Sequence, residues 1–406
     1  MGALLGALLL AGPALYAAVW AWLRAGQEPA FLPGSCASEG AQGKAETASL
    51  VQGKGLAEEF STEGRAPLFS VLIAARDEAA ALPHLLAALR QQTLAPSKFE
   101  VLLADDHSAD GTAALVQAAA AEAPFALRLI SLPVGTTGKK AALAAAEAQA
   151  RAAWVVCTDA DCRPAPGWLA AYAGLLQQSP AHSLLHFISG PVRLTPGGAW
   201  FDGVLGLEFA GLVGVGAGCI ARGRPTMCNG ANLAYRRATF HEVGGYADNQ
   251  GLASGDDEFL LHKIQQRYPA GVHFLARPEA VVDTPAPATL RTLLRQRVRW
   301  ASKWPHYRPA APRQLALLVL GANVSLALGL ALALAWPPLS PWVGAAWGLK
   351  LGADAWLLWP VLGLLRRRRW LAWVLPLQLL YAPYALAVGL ASQRAQGYQW
   401  KGRQVR

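Results

Sequence analysis

Four runs of almost unbroken apolar residues, at 2–23, 315–336, 342–365 and 370–391, bracket a central stretch in which short apolar runs alternate with segments of helical character. Each long run is near the ~20 residues a helix needs to cross a bilayer, which predicts one membrane segment before the central stretch and three after it. Within that stretch, PheSerValLeuIleAlaAla at 69–75, PheGluValLeuLeuAla at 99–104, LeuArgLeuIleSerLeu at 127–132 and TrpValValCysThr at 154–158 suit buried strands. Helical segments at about 80–92, 113–126 and 139–152 separate them, the last two rich in alanine. This alternation predicts an α/β fold, a mostly parallel sheet with helices on both faces. Ligands in such a fold sit beyond the carboxyl ends of the strands.

Residues 26–67, rich in Gly, Ala, Ser, Glu and Lys, predict a flexible linker. The chain then divides into an anchor at 1–25, the linker, a domain at 68–313, membrane segments at 314–392 and a basic tail at 393–406. A cleaved secretory leader is the alternative for the first run. It has no basic leading region, its apolar stretch exceeds the ~7–15 residues of a leader core, and Arg24 flanks its far end, so an uncleaved anchor is favoured.

An apolar content of 53% agrees with a membrane protein. Charge sets the orientation. After Asp283 stand sixteen Lys or Arg against one acid, Asp354, so the preceding part is net negative although the whole chain is +10. Basic residues beside apolar spans fit the positive-inside bias and anionic lipid better than nucleic acid as a partner. The domain and the cluster Arg366 to Arg369 are therefore expected on the cytoplasmic side, with a bacterial inner membrane as the location. A fourth full span would send Arg394, Lys401, Arg403 and Arg406 to the other side; Pro376 and Pro383 leave a broken or re-entrant last segment as the alternative. Five cysteines, at 36, 157, 162, 219 and 228, form no CysXXCys pair and predict packing roles in a reducing compartment. Lys350 and Asp354, four apart, predict an ion pair on one helix face.

The chemistry lies in clusters of fixed order. AspAspHisSerAlaAspGlyThr at 105–112 and ThrAspAlaAspCys at 158–162 put Asp106, Asp159 and Asp161 just past strand ends, facing one crevice. An AspXAsp turn there offers oxygen ligands to magnesium or manganese and to a diphosphate bridged by the ion. GlyAspAspGluPhe at 255–259 offers a carboxylate, Asp256 or Asp257, that can take a proton; the same acids would suit the start of a helix near Glu258. GlnArgValArgTrp at 296–300 places Arg299 at the membrane boundary and Trp300 either on a sugar or in an interfacial aromatic belt. Asp105 is read as a turn residue, Lys139 and Lys140 as either phosphate binders or an exposed helix start, and His107 and His262 as surface or polar packing residues. No GlyXGlyXXGly follows the first strand, which excludes a soluble dinucleotide-binding oxidoreductase.

Residues 69–300 resemble the membrane-bound family 2 glycosyltransferases, the group with ceramide glucosyltransferases, cellulose synthases and hyaluronan synthases. The resemblance rests on SerValLeuIleAlaAlaArgAspGlu at 70–78, the clusters above, GlyLysLysAlaAlaLeu at 138–143, and AsnGlyAlaAsnLeuAlaTyrArgArg at 229–237 with GlyGlyTyr at 244–246. It departs in Asp77, where the family often has Asn, and in GlyAspAsp, where it often has ThrGluAsp or GlyGluAsp. The resemblance implies a nucleotide-sugar fold of the glycosyltransferase A type. It also implies that Arg76, Glu78 and Asp106 hold the nucleotide, with Asp106 at a uracil ring, and that Asp159 lies near the ribose or diphosphate. Asp161 is the better ligand of the divalent cation (Mg2+ or Mn2+), Asp257 the general base, and Gln296, Arg299 and Trp300 contacts of the diphosphate and the acceptor. The function expected is inverting, metal-dependent transfer of a sugar from a nucleotide-sugar donor, UDP-linked by preference, to a lipid or glycan acceptor at the membrane, a lipid being favoured. A processive polysaccharide synthase and a non-catalytic scaffold of an export system are the alternatives. A scaffold would be expected to lack the carboxylates, all of which are present.

Overall fold

The structure is a computed structural model that describes residues 2–31, 66–178, 184–247, 255–303, 306–394, 398–400 and 403–405. An apolar helix, α1 (Gly2–Phe31), opens the chain and runs past the expected anchor boundary at 25. Residues 32–65 of the expected linker lie outside the described residues.

The four predicted strands are present. β1 (Phe69–Ala75) pairs in parallel with β2 (Phe99–Asp105), from Phe69 opposite Phe99 to Ala75 opposite Asp105, and with β4 (Trp154–Cys157) on its other side. β3 (Ala126–Ser131) extends the parallel part beyond β2. Near-continuous burial of β1 and β2 explains why their sequences show no alternation: both faces are covered. Between these strands lie α2 (Leu82–Arg90), α3 (Thr112–Glu122) and α4 (Lys139–Glu147).

The rest of the sheet departs from the predicted pattern. After β5 (Arg163–Pro164) and α5 (Trp168–Gln178) come β6 (Phe187–Ser189), β7 (Val192–Thr195), α6 (Asp202–Ala221) and β8 (Leu233–Arg236). β8 lies antiparallel to both β4 and β6, and β9 (Val272–Phe274) closes the sheet beside β6, for the order β3-β2-β1-β4-β8-β6-β9. Between β8 and β9 stand α7 (Arg237–Glu242) and α8 (Asp256–Arg267). A smaller sheet sets β10 (Val282–Pro285) between β5 and β7. Arg193 of β7 forms a two-point pair with Asp283 of β10, at 2.6 and 2.7 Å, and donates to the Leu365 carbonyl at 3.0 Å.

α9 (Leu290–Ala301), capped by Thr289, leads to α10 (Ala311–Ala335), α11 (Ser340–Leu364) and α12 (Val374–Arg394). All four apolar runs are thus helical. α12 passes through Pro383 without interruption, which corrects the broken-helix alternative. β11 (Tyr398–Trp400) and β12 (Arg403–Val405) pair in the tail. Among the described residues four helices are long and apolar enough to cross a membrane, at Leu5–Gln27, Asp202–Ala221, Ala311–Ala335 and Arg368–Gln393; α11 is of similar length but holds Lys350 and Asp354.

The second of these, α6, lies inside the predicted soluble domain. Leu207 and Ala210 pack on Leu358 and Val361 of α11, and Val215 and Cys219 pack on Trp20 and Leu23 of α1. The approach is close because small residues face the neighbours: a Cβ at Gly214 would stand 2.7 Å from the Val361 side chain. α6 is therefore the element through which the sheet domain grips the helix bundle.

Candidate active site

Strand ends supply the first part of the site. β2 ends at Asp105, whose carboxylate takes the backbone N–H and hydroxyl of Ser108 and so holds a turn, as expected. Asp106 is fully buried; its Oδ2 accepts from the Gly138 N–H at 2.9 Å, and Arg76 donates to its carbonyl at 2.7 Å. The loop after β1 interlocks with this turn, Asp77 N–H donating to Ser108 Oγ and Glu78 N–H to Thr112 Oγ1, both at 2.9 Å. His107 is a packing residue, its Nε2 lying 3.0 Å from the Thr136 carbonyl oxygen.

Asp159 and Asp161 follow β4. Together with Cys162 they bring ligand atoms within 4.8 Å of one another. Burial pushes the Cys162 thiol well above its ordinary pKa, so the thiolate needed for metal binding is disfavoured. The two carboxylates remain as a hard-oxygen pair, and this donor set fits a divalent cation that shares its remaining positions with a diphosphate.

Lys139 enters the same cluster. Its Nζ lies 2.6 Å from Asp159 and 3.6 Å from Asp256, and these carboxylates overcome burial to hold it well above the usual lysine range. Lys140 is buried as well, 5.7 Å from the Phe259 ring centre, and burial lowers it to about 8. Of the two readings of these lysines, the exposed helix start is corrected: α4 begins inside the site. Its signal was the pair of lysines directly after a glycine at a predicted helix start.

The base candidates open α8. Asp257 Oδ2 accepts from the Gly230 N–H and Oδ1 from the Glu258 N–H, both at 2.8 Å. Burial lifts its pKa to about 6, with Lys303 opposing and the neighbouring Asp256 and Glu258 adding to the rise. At Asp256 burial acts the same way, but Lys139, a backbone hydrogen bond, Lys303 and Lys140 together outweigh it and the pKa is lowered. One carboxyl in a basic pair and one held near neutrality answer different needs, and the second suits proton transfer. Glu258, the third acid, is engaged by Lys303 at 2.6 Å and by the Tyr307 hydroxyl. His262 packs edge-on to Tyr307.

Gly230 is held by a buried hub that the sequence did not reveal. Asn232 Oδ1 accepts from Trp168 Nε1 and the Tyr172 hydroxyl, while Nδ2 donates to the Pro191 and Ala280 carbonyls, all at 2.8 Å. The Asn232 backbone carbonyl takes the Gly190 N–H, and a Cβ at Gly190 would lie only 2.4 Å from the amide.

α9 supplies the last part. Gln296, Arg299 and Trp300 are half-buried on the wall of a cavity of about 780 Å³ that Glu78, Asp159, Asp161, Asp256 and Asp257 also line. Arg76 and Asp106 do not line this cavity. Arg297, which no sequence pattern singled out, is buried and hydrogen-bonds Glu208 of α6 and, at 3.1 Å, the Tyr384 hydroxyl of α12. Its guanidinium lies 4.4 Å from the Trp300 ring centre, so Trp300 faces a neighbour inside the protein.

Residues 154–386 match glycosyl transferase family group 2, and residues 70–192 match glycosyl transferase family 2. The first match spans more than half of the chain. The chain belongs to glycosyl transferase family group 2. It is 26% identical over 245 residues to the probable glycosyltransferase YdaM of Bacillus subtilis (strain 168), an overlap of 58% of this chain and 54% of that protein. The chain thus spans about half the length of this curated relative. Among solved structures, the mannosyltransferase PcManGT from Pyrobaculum calidifontis, in complex with GDP-Man and Mn2+, shares 21% identity over 82% of this chain and 87% of its own, with a TM-score of 0.49. TarS 1-349 of S. aureus in complex with UDP-GlcNAc shares 15% over 83% and 95%, with a TM-score of 0.42.

Proposed function

We propose that this glycosyltransferase moves a sugar, with inversion, from a nucleotide diphosphate donor, UDP-linked by preference, to a lipid acceptor in the membrane. The observation that carries the proposal is the shared cavity: the carboxylates beyond the sheet and the apolar helices line one space. A transferase acting on a water-soluble acceptor has no need of such a join.

In this reading Arg76, Glu78 and Asp106 form the nucleotide pocket, with Asp106 toward the base ring and fixing Gly138 at the start of α4. Asp161, with Asp159, would hold the cation, which supplies positive charge to the diphosphate when bound. Lys139, Gln296 and Arg299 add donors and charge toward the same group. Asp257 takes the proton of the acceptor hydroxyl as its oxygen bonds to the anomeric carbon. The bond from that carbon to the diphosphate oxygen breaks, and the nucleoside diphosphate leaves with the bonding electrons. Trp300 flanks the acceptor. The catalytic side belongs in the cytoplasm, where nucleotide-sugars are held.

The test is transfer from a panel of radiolabelled UDP- and GDP-sugars by the purified full chain with membrane lipids. Label in a short glycolipid is expected; label in a long polymer would favour a processive synthase, and no transfer or donor hydrolysis, with or without manganese, a scaffold. Asp257→Asn should lower transfer by about 10²- to 10⁴-fold, the usual contribution of a general base, while donor binding persists. Full activity in that variant would remove Asp257 as the base and turn attention to Asp256.

A further inference from the structure

The cavity continues past the carboxylates. From Trp300 it runs to Glu208, Arg297 and Tyr384 and then in among α1, α10, α11 and α12 as far as Lys350 and Asp354. Leu315, Val319, Leu357 and Val388 give that inner part an apolar wall. Two polar groups interrupt the wall. One is the trio, in which Arg297 binds both Glu208 and Tyr384. The other links four helices: Tyr16 and Lys350 bind Asp354, Lys350 donates to Gln378 at 2.7 Å, and Gln378 donates to Asn323 at 3.3 Å.

We propose that the inner cavity is the acceptor site, and that Glu208, Arg297 and Tyr384 select an amphiphile whose headgroup is uncharged and carries the attacking hydroxyl. The inference rests on the reading that the enzyme glycosylates a membrane lipid, and it names the chemical class of that lipid.

Charge balance is the first argument. Along this wall each buried cation already has its own carboxylate: Arg297 has Glu208, Lys350 has Asp354, and Lys303 has Glu258. A phosphate headgroup would have to draw a cation from its partner and leave a buried carboxylate unpaired, which is strongly unfavourable. Arg299 has no carboxylate partner among the described residues, and the donor diphosphate claims it. A hydroxyl asks for less. The Tyr384 hydroxyl and Glu208 Oε1 are 3.5 Å apart, a long contact that leaves both able to bond a hydroxyl between them.

The reaction gives the second argument. A phosphate oxygen is ionised near neutral pH and attacks without a proton acceptor, so Asp257 beside it would only repel it. An alcohol must lose its proton in the transfer, and a buried carboxylate at the mouth of the inner cavity is the group that takes it. The third argument is the apolar wall, which matches hydrocarbon and not a glycan chain.

The experiment offers the purified full chain, with the donor found active, a long-chain diol or diacylglycerol in one arm and a polyprenyl phosphate in the other, and separates labelled products by charge. A neutral glycolipid is expected, together with an acceptor KM raised about fivefold in Tyr384→Phe, the effect of one lost hydrogen bond, against a smaller change in donor KM. A diazirine-bearing long-chain alcohol should photolabel α10 or α12 at the cavity wall, which keeps the assignment testable if Glu208 and Arg297 variants fold poorly. A phosphate-linked product would overturn the inference and leave lipid transfer standing. Label in no lipid at all would overturn both. A neutral product with an unmoved acceptor KM, or photolabel only on the outer surface of the bundle, would remove the trio from the site.

Discussion

Asp257 and Glu208 line the same cavity, but they are held by different means. Both Asp257 oxygens accept backbone N–H groups, from Gly230 and Glu258, while Glu208 is held by the side chains of Arg297 and Tyr384, which come from two other helices. The same division separates Asp106, bonded to the Gly138 N–H, from Asp354, bonded to Tyr16 and Lys350. A carboxylate fixed by the backbone keeps its place when its side-chain neighbours change and can titrate there. One fixed by an opposite charge in a buried bundle is tied to that charge, and each needs the other. The sheet end of the cavity is built for ionic chemistry, and the bundle end is neutral in sum.

Breaking a buried pair is the severest test of this difference. Arg297→Leu strands Glu208 and should lower stability by about 3–5 kcal/mol, whereas Arg297→Leu combined with Glu208→Leu should recover much of that loss. Asp257→Asn sets an amide NH2 against one of the two backbone N–H groups that the carboxylate accepts and should cost about 1–3 kcal/mol, less than the broken pair. Thermal unfolding of the three variants in one detergent decides the matter. If the double variant is as unstable as the single, the pair is not the unit described.

This contrast also marks how far the sequence could be read. Asp106, Asp159 and Asp161 were legible because a strand end is a local signal, and β1, β2 and β4 carry runs of four to seven buried residues between clear helices. The antiparallel half was not: β6, β8 and β9 are three or four residues long, too short for a pattern. α6 was hidden by its glycines, which weaken a helical reading until the close packing against α1 and α11 is seen. Arg297 and Glu208 stand 89 residues apart on different helices, and no periodicity links them. Lys139 was left open between two readings for the same reason, since its carboxylates come from a strand end and from α8. By contrast the Lys350–Asp354 pair, four apart on one helix, was legible and is present at 2.8 Å.

A milder probe of the sheet end is pH. In the proposed mechanism transfer requires ionised Asp257, whose pKa burial raises to about 6. The rate should therefore fall as pH drops through about 6, by ~10-fold per unit below it. The sign for stability is opposite. The folded protein binds this proton more tightly than the unfolded chain does, so the Asp257 contribution to stability falls as pH rises toward and through about 6. A rate profile flat from pH 7 down to pH 5, at saturating donor and acceptor, would mean that no group of this kind limits the reaction.

The smallest expected effect separates two neighbours within the backbone-held set. Among the described residues the Asp105 carboxylate accepts from Ser108 alone, two bonds that shape the turn, while Asp106 fixes the Gly138 N–H at the start of the helix that carries Lys139. Asp105→Ala should then cost about 1 kcal/mol of stability, the worth of a turn hydrogen bond, and move the donor KM little. Asp106→Ala should raise the donor KM more at a similar stability cost, because the loosened Gly138 lets Lys139 drift from Asp159. If the two variants change donor KM equally, the turn and the pocket are one unit, and the distinction between a carboxylate that shapes the loop and one that serves the donor does not hold at this strand end.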